Sequence, residues 1–207
     1  MPAEVSTLVL VRHGQTDGPL RDRDRLSELG LAQGEAVGET FGDLPIDRLF
    51  VGPRRRHRQT LEAARRPHWP EALELETLDE FPAEKLLRET ATGTEYTALD
   101  TLGRLWARGE HAEESLESWS AFETRVRGAL AELTSDAPKG SVRVAFTSGG
   151  VIGCAVGAML GLPSERSFEL GLVVRNASRT ELVFTRGRVS LLSFNVPLPD
   201  ATLHTWR

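Results

Sequence analysis

Short β-branched runs that stop at a glycine or proline and give way to helical spacing recur along this chain, and that alternation leaves few folds open to it. Residues 5–11 form an apolar run that reads as a buried strand. A polar loop over 17–25 follows, and Ser27 then reads as the N-cap of a helix carrying Leu29, Ala32, Ala36, Val37, Thr40 and Phe41, ended by Leu44-Pro45. Residues 47–52 read as a second strand, with Pro53 opening a helix to about Arg65. The alternation over 73–78 predicts a short strand, and Ser115 or Ser118 opens a helix to about Leu133 with Trp119, Phe122, Val126, Ala129 and Leu130 on one face. Residues 142–146 give another central strand, Gly149-Gly150 starts a helix to Leu160, and Gly161-Leu162-Pro163 stops it. Residues 180–185 and 188–194 complete the pattern as a hairpin around Arg186-Gly187. Strands joined through helices imply crossovers, so the expected class is α/β: a three-layer α/β/α arrangement around a mostly parallel central sheet. One domain over 1–207 is expected, with residues 80–112 as an irregular cap at one end of the sheet.

In an open α/β sheet, ligands sit at the carboxyl ends of the strands. Three unusual segments fall there: Arg12-His13-Gly14, the run 53–60, and Thr147-Ser148-Gly149-Gly150. An arginine beside a histidine presents a fixed, bidentate cation and a nucleophilic nitrogen to the same anion. Gly14 removes a Cβ where the chain approaches the ligand, and the Gly149 and Gly150 amides at a helix start add donors. An imidazole among phosphate-binding cations can attack phosphorus in line and form a phosphohistidine. A lone histidine is ordinarily a core or surface residue; the surroundings of His13 set it apart. The cluster Arg54-Arg55-Arg56-His57-Arg58 adds a local positive field suited to a small anionic substrate.

Composition narrows the partners. The net charge is −5, which argues against nonspecific binding to nucleic acid or an anionic membrane. No apolar run approaches the roughly 20 residues of a bilayer span, and Met1-Pro2-Ala3-Glu4 lacks the positive start of a secretory signal. Cys154 is the single cysteine and lies in an apolar stretch, so it reads as a small buried hydrophobe and the setting as the reducing cytoplasm. No ligand spacing suggests zinc, so neither a metal nor another cofactor is expected.

Taken together, the segments 10–16, Leu26-Ser27-Glu28-Leu29-Gly30-Leu31-Ala32-Gln33, 53–60 and Leu78-Asp79-Glu80 resemble the histidine phosphatase superfamily, in its phosphoglycerate-mutase-like branch with an Arg-His-Gly signature. The resemblance covers nearly the whole chain. It implies a phosphoglycerate-mutase-like fold in which His13 is the nucleophile, Arg12 and Arg56 bind phosphate, and Glu80 protonates the leaving oxygen, with Glu84 in reserve; Ser148, Gly149 and Thr16 are further candidate phosphate ligands. Asp79 and Glu84 would raise the Glu80 pKa by like-charge repulsion. Glu117-Ser118 with Arg125, and Asn176-Ala177-Ser178, match weaker family patterns.

Two positions depart from that pattern. Where family members usually carry a second histidine, aligning the glycines places Ser148; and Pro19 stands where many relatives have an asparagine. By that alignment His57, His68, His111 and His204 all lie elsewhere. Serine keeps a donor but loses reach and charge, and removing one such preorganised donor costs about 100- to 1,000-fold in rate. Three outcomes stay open: a slow phosphatase, an active one with charge supplied by Arg54, Arg55 or Arg58, or a regulatory protein that binds a small phosphorylated compound or inorganic phosphate without turnover. A phosphomutase is a further alternative. If Ser148 limits the chemistry, Ser148→His should raise the rate.

Overall fold

The computed structural model describes residues 5–18, 24–86, 95–110, 116–185 and 187–206, side chains excepted at 84 and 95–97. Pro19, His111, Ser115, Arg186 and the side chain of Glu84 therefore lie outside the described residues. The framework is one six-stranded sheet in the order β3-β2-β4-β1-β5-β6. Its strands are β1 (Ser6–Arg12), β2 (Arg48–Val51), β3 (Ala72–Glu74), β4 (Val142–Thr147), β5 (Arg179–Thr185) and β6 (Arg188–Val196). The first four in chain order run parallel, and β5 turns antiparallel to β1 and pairs with β6 as a hairpin. Three layers result, as the alternation predicts.

β1 is apolar over Leu8–Val11, where both of its faces are covered. Leu8 and Leu10 enter a core with Phe50, Phe122, Ala145, Ile152 and Leu182. Val9 and Val11 enter another with Val37, Leu49, Leu61, Val144 and Phe146. The first core is built on α5 (Trp119–Thr134) and α6 (Gly149–Leu160), the second on α1 (Glu28–Glu39) and α2 (Arg55–Ala64). Register aligns the strand ends: Arg12 lies opposite Thr147 and Val51 opposite Phe146. His13, Gly52 and Ser148 thus step off one edge of the sheet together.

Most elements lie where the pattern puts them. The Ser27 hydroxyl accepts from the Gly30 amide at 3.0 Å as the N-cap of α1, and Ser118 caps α5 through the Ala121 amide at 3.2 Å. Gly161 ends α6 in the left-handed region at φ 66°. Several details differ. α1 stops at Glu39, before Leu44-Pro45, where the Thr40 hydroxyl takes the Val37 carbonyl at 2.6 Å. Pro53 precedes the Arg54 N-cap rather than opening α2 itself. The strand expected over 73–78 ends at Glu74, and Glu76–Leu78 is a 3₁₀ turn that pulls Leu78 inward. Within the region over 80–112, the described residues include α3 (Ala83–Leu86) and a 13-residue helix, α4 (Glu95–Ala107). A further helix, α7 (Ser164–Val173), starts immediately after Pro163, which the sequence offers only as a stop.

Candidate active site

His13 is set by its backbone before its ring. Its amide donates to the Thr147 carbonyl at 2.9 Å, and its own carbonyl accepts from Asn176 Nδ2 and the Ala177 amide, both at 3.2 Å. Nδ1 lies 2.7 Å from the Gly14 carbonyl, which can only accept, so Nδ1 carries the proton and Nε2 keeps its lone pair. Burial first, then the charges of Arg56 and Arg12, then His57, hold the His13 pKa well below 6.5. The ring is therefore neutral at neutral pH, the state a nucleophile requires.

The loop after His13 is pinned by the motif residues. The Gly14 amide donates to Thr60 Oγ1 at 3.0 Å, the Gln15 amide to Gln33 Oε1 at 2.7 Å, and the Leu26 amide to Gln59 Oε1 at 2.9 Å. Gln33, Gln59 and Thr60 thus hold the pocket floor. Gly14 has a reason the sequence does not show: an added Cβ would overlap the Gly30 carbonyl of α1, so loop and helix approach closely here. Thr16 is buried where this loop meets Leu26 in an isolated antiparallel bridge. No hydrogen bond among the described residues ties it to Arg12, Arg56 or Ser148.

The remaining candidates converge. The Arg12 guanidinium bonds the Val174 carbonyl through Nη1 and runs past Gly149. Arg56, on the first turn of α2, is 9% exposed, with Nη1 3.4 Å from Asp24 and Nη2 3.4 Å from Ser148 Oγ. Asp24 also receives the Arg55 amide at 3.1 Å, which caps α2 from a distant loop. Glu80 accepts from the Phe81 amide at 3.0 Å and from the Gly150 amide at 3.2 Å, so one of the two α6 amides expected for an anion already serves this carboxylate. Its pKa is raised above 4.5 by burial, against the pull of Arg56; like-charge repulsion from Asp79 is not the cause, since Asp79 pairs with Arg54 at 2.5 Å.

The segment that presents Glu80 is clamped by Arg125, which bonds Glu117 at 2.9 and 2.7 Å and the carbonyls of Thr77 and Asp79 at 3.1 and 2.7 Å. Thr147 Oγ1 adds a bond to the Leu78 carbonyl at 2.8 Å. Beside Glu80 a charged cleft opens, lined by Arg54, Asp79, Lys85, Glu117 and Arg125. The basic run 54–58 is not a single field: Arg55 and Arg58 face outward, Arg58 onto Glu74 at 2.9 Å, and only Arg54 and Arg56 turn to the site. Trp106 and Trp119 are core residues, packed edge-on against each other with centroids 5.2 Å apart. Cys154 is buried, which pushes its thiol up to about 12 and leaves it inert. Among the described residues, no three His, Cys, Asp or Glu side chains gather as a metal centre, and no helix is long and apolar enough to cross a membrane.

Ser148 occupies the N-cap position of α6, yet its side chain makes no capping bond. Its hydroxyl turns to Arg56 and to His57 Nε2, 2.6 Å away. Sequence reasoning left His57 outside the site; the structure buries it completely, its ring centroid 5.8 Å from that of His13. The signal was available in α2, whose buried positions 56, 57, 60, 61 and 64 form one helical stripe.

The model of the histidine phosphatase superfamily (branch 1) matches residues 8–197. Among solved structures, Bacillus stearothermophilus YhfR superposes with a TM-score of 0.75 at 18% identity, over 92% of this chain and 97% of that one. A phosphoserine phosphatase from Entamoeba histolytica, in complex with 3-phosphoglyceric acid, gives 0.71 at 19%, over 92% and 96%. A mycobacterial glucosyl-3-phosphoglycerate phosphatase gives 0.68 at 26%, over 93% and 99%. No curated protein matches the sequence.

Proposed function

Since the chain belongs to the histidine phosphatase superfamily (branch 1), we propose that it is a phosphomonoester hydrolase working through a phosphohistidine on His13. The observation that carries this reading is the pairing of opposites in one pocket: a neutral imidazole with its Nε2 lone pair kept free by the Gly14 bond, and a carboxyl group held toward its protonated form. In the first step Nε2 bonds to phosphorus, the phosphorus–oxygen ester bond breaks, and Glu80 gives its proton to the departing oxygen. Arg12 and Arg56 hold the equatorial oxygens, with Ser148 and the Gly149 amide, and Thr16 at the edge of the loop. In the second step water attacks phosphorus, the phosphorus–nitrogen bond breaks, and Glu80 takes the proton back, so the sum is ester plus water to alcohol plus phosphate.

The substrate class is a small phosphorylated compound, in keeping with the phosphoserine and glucosyl-3-phosphoglycerate phosphatases that share the fold. Arginines and Glu80 supply the charge and proton, so turnover is expected to persist in chelator, and the reducing cytoplasm is the setting proposed from the single buried Cys154. The test is release of phosphate from an aryl phosphate by wild type and His13→Ala, with acid-labile phosphate sought on the protein. Turnover and adduct lost together in His13→Ala support the proposal. Absence of both in wild type across a broad phosphoester panel leaves a phosphate-binding regulatory protein, and phosphoglycerate interconversion faster than hydrolysis makes it a mutase.

A further inference from the structure

Resting on that reading, we infer that His57 is the second imidazole of the pocket, supplied from α2 instead of α6, and that it works through Ser148 as a positioning residue. Three observations point the same way. His57 is fully buried beside His13, with ring centroids 5.8 Å apart, so two imidazoles already share this space. Its Nε2 lies 2.6 Å from Ser148 Oγ, and that hydroxyl has forgone the capping bond its place on α6 offers. The same oxygen is 3.4 Å from Arg56 Nη2, so the chain His57–Ser148–Arg56 ends on the guanidinium assigned to phosphate.

Room for this arrangement is built into the backbone. The His57 ring lies against residue 52, and a Cβ there would overlap Nδ1 and Cε1, so only glycine at 52 admits the ring. A histidine at 148 would in turn meet the His57 ring where Ser148 Oγ now bonds it. The structure thus reverses the expectation for Ser148→His: with His57 in place that substitution should lower the rate, because two imidazoles would compete for one space. What stands at 148 is the short half of a pair whose long half comes from α2.

A proton on either atom satisfies the pair. In one arrangement the serine hydroxyl donates to Nε2 and accepts from Arg56, which fixes the guanidinium fork. In the other Nε2–H donates to the serine, and the hydroxyl proton turns to a phosphoryl oxygen. Both orient a donor toward an equatorial oxygen, the role a preorganised group has in stabilising the transition state.

The experiment measures kcat and KM for an aryl phosphate, with orthovanadate affinity and thermal unfolding recorded for every variant. His57→Gln and Ser148→Ala are expected to lower kcat by about 100- to 1,000-fold with KM changed by less than about threefold. The double variant His57→Ala/Ser148→His, which returns an imidazole from α6, should exceed folded His57→Ala by at least about tenfold. Folded His57→Gln or Ser148→Ala with kcat within about threefold of wild type overturns the assignment, as does a swap no better than His57→Ala. If His57→Ala does not fold, His57→Gln and Ser148→Ala decide together, since a loss through the link must appear in both. If wild type and His13→Ala are both inert, the phosphatase reading fails by itself. Orthovanadate then decides: tenfold weaker binding in both His57→Gln and Ser148→Ala sustains the inference, and unchanged binding in either ends it.

Discussion

The same burial moves His13 and Glu80 in opposite senses, and the pH dependence of the reaction follows from that. His13 must be neutral to attack, and its pKa lies well below 6.5, so the acidic limb of kcat/KM should fall well under that value. Glu80 must hold a proton, and its pKa is raised from 4.5, so kcat/KM should decline as pH rises through the Glu80 value. Glu80→Gln should remove the alkaline limb and lower kcat by about 100- to 10,000-fold, less with good leaving groups. A pH–rate profile of both proteins checks this; an alkaline limb that survives in Glu80→Gln assigns the acid to another residue. Stability follows the histidines. His13 and His57 are both depressed, so below about 6.5 the unfolded chain binds protons the folded one refuses, and the unfolding midpoint should fall as pH drops below that value. That Arg12, His13 and Arg56 share one pocket was legible in the sequence, because Arg12 ends β1, His13 follows it and α2 opens shortly after β2. His57 was not, because a motif read by alignment assigns the second imidazole to residue 148, whereas burial along α2 places it at 57.

Among the elements, the link from α5 to the Glu80 segment and the contact of α1 with the pocket loop carry the most consequence. Arg125 holds the backbone of residues 77 and 79 while touching no phosphate ligand among the described residues. Arg125→Ala should therefore let Glu80 drift and lower kcat by up to about 100-fold, the cost of roughly 1 Å of misplacement. Inorganic phosphate binding should stay near wild type; calorimetric titration with phosphate separates the two effects. Gly14→Ala should instead destabilise the whole protein by about 1–3 kcal/mol, because its methyl would enter the Gly30 carbonyl at the start of α1. Thermal unfolding checks it, and a midpoint unchanged from wild type would return Gly14 to a ligand-clearance role. The helices with capped starts, α1 and α5, were readable from Ser27 and Ser118, and the parallel strands from their continuous apolar runs. α7 was not, since Pro163 is as good a beginning as an end. The strand over 73–78 failed because Leu78 is drawn into the core by a 3₁₀ turn that imitates alternation.

For the whole molecule, the pocket joins the covers of both sheet faces: Arg56 comes from α2 on one side and Ser148 from α6 on the other. A bound anion ties the two together and should stabilise the folded state by mass action. Inorganic phosphate at about 100 times its dissociation constant should add about 2.7 kcal/mol, seen as a raised unfolding midpoint that Arg56→Ala abolishes. The fold class was legible because alternation of strands and helices admits few topologies, while the charged cleft beside Glu80 was not, because its walls come from distant segments. The His13 carbonyl is held by Asn176, which is held in turn by Thr205 at 2.8 and 3.0 Å. On the ribosome, residues 12–14 emerge well before residues 176 and 205, so a nascent chain carries the Arg-His-Gly segment long before the contacts that hold it can form.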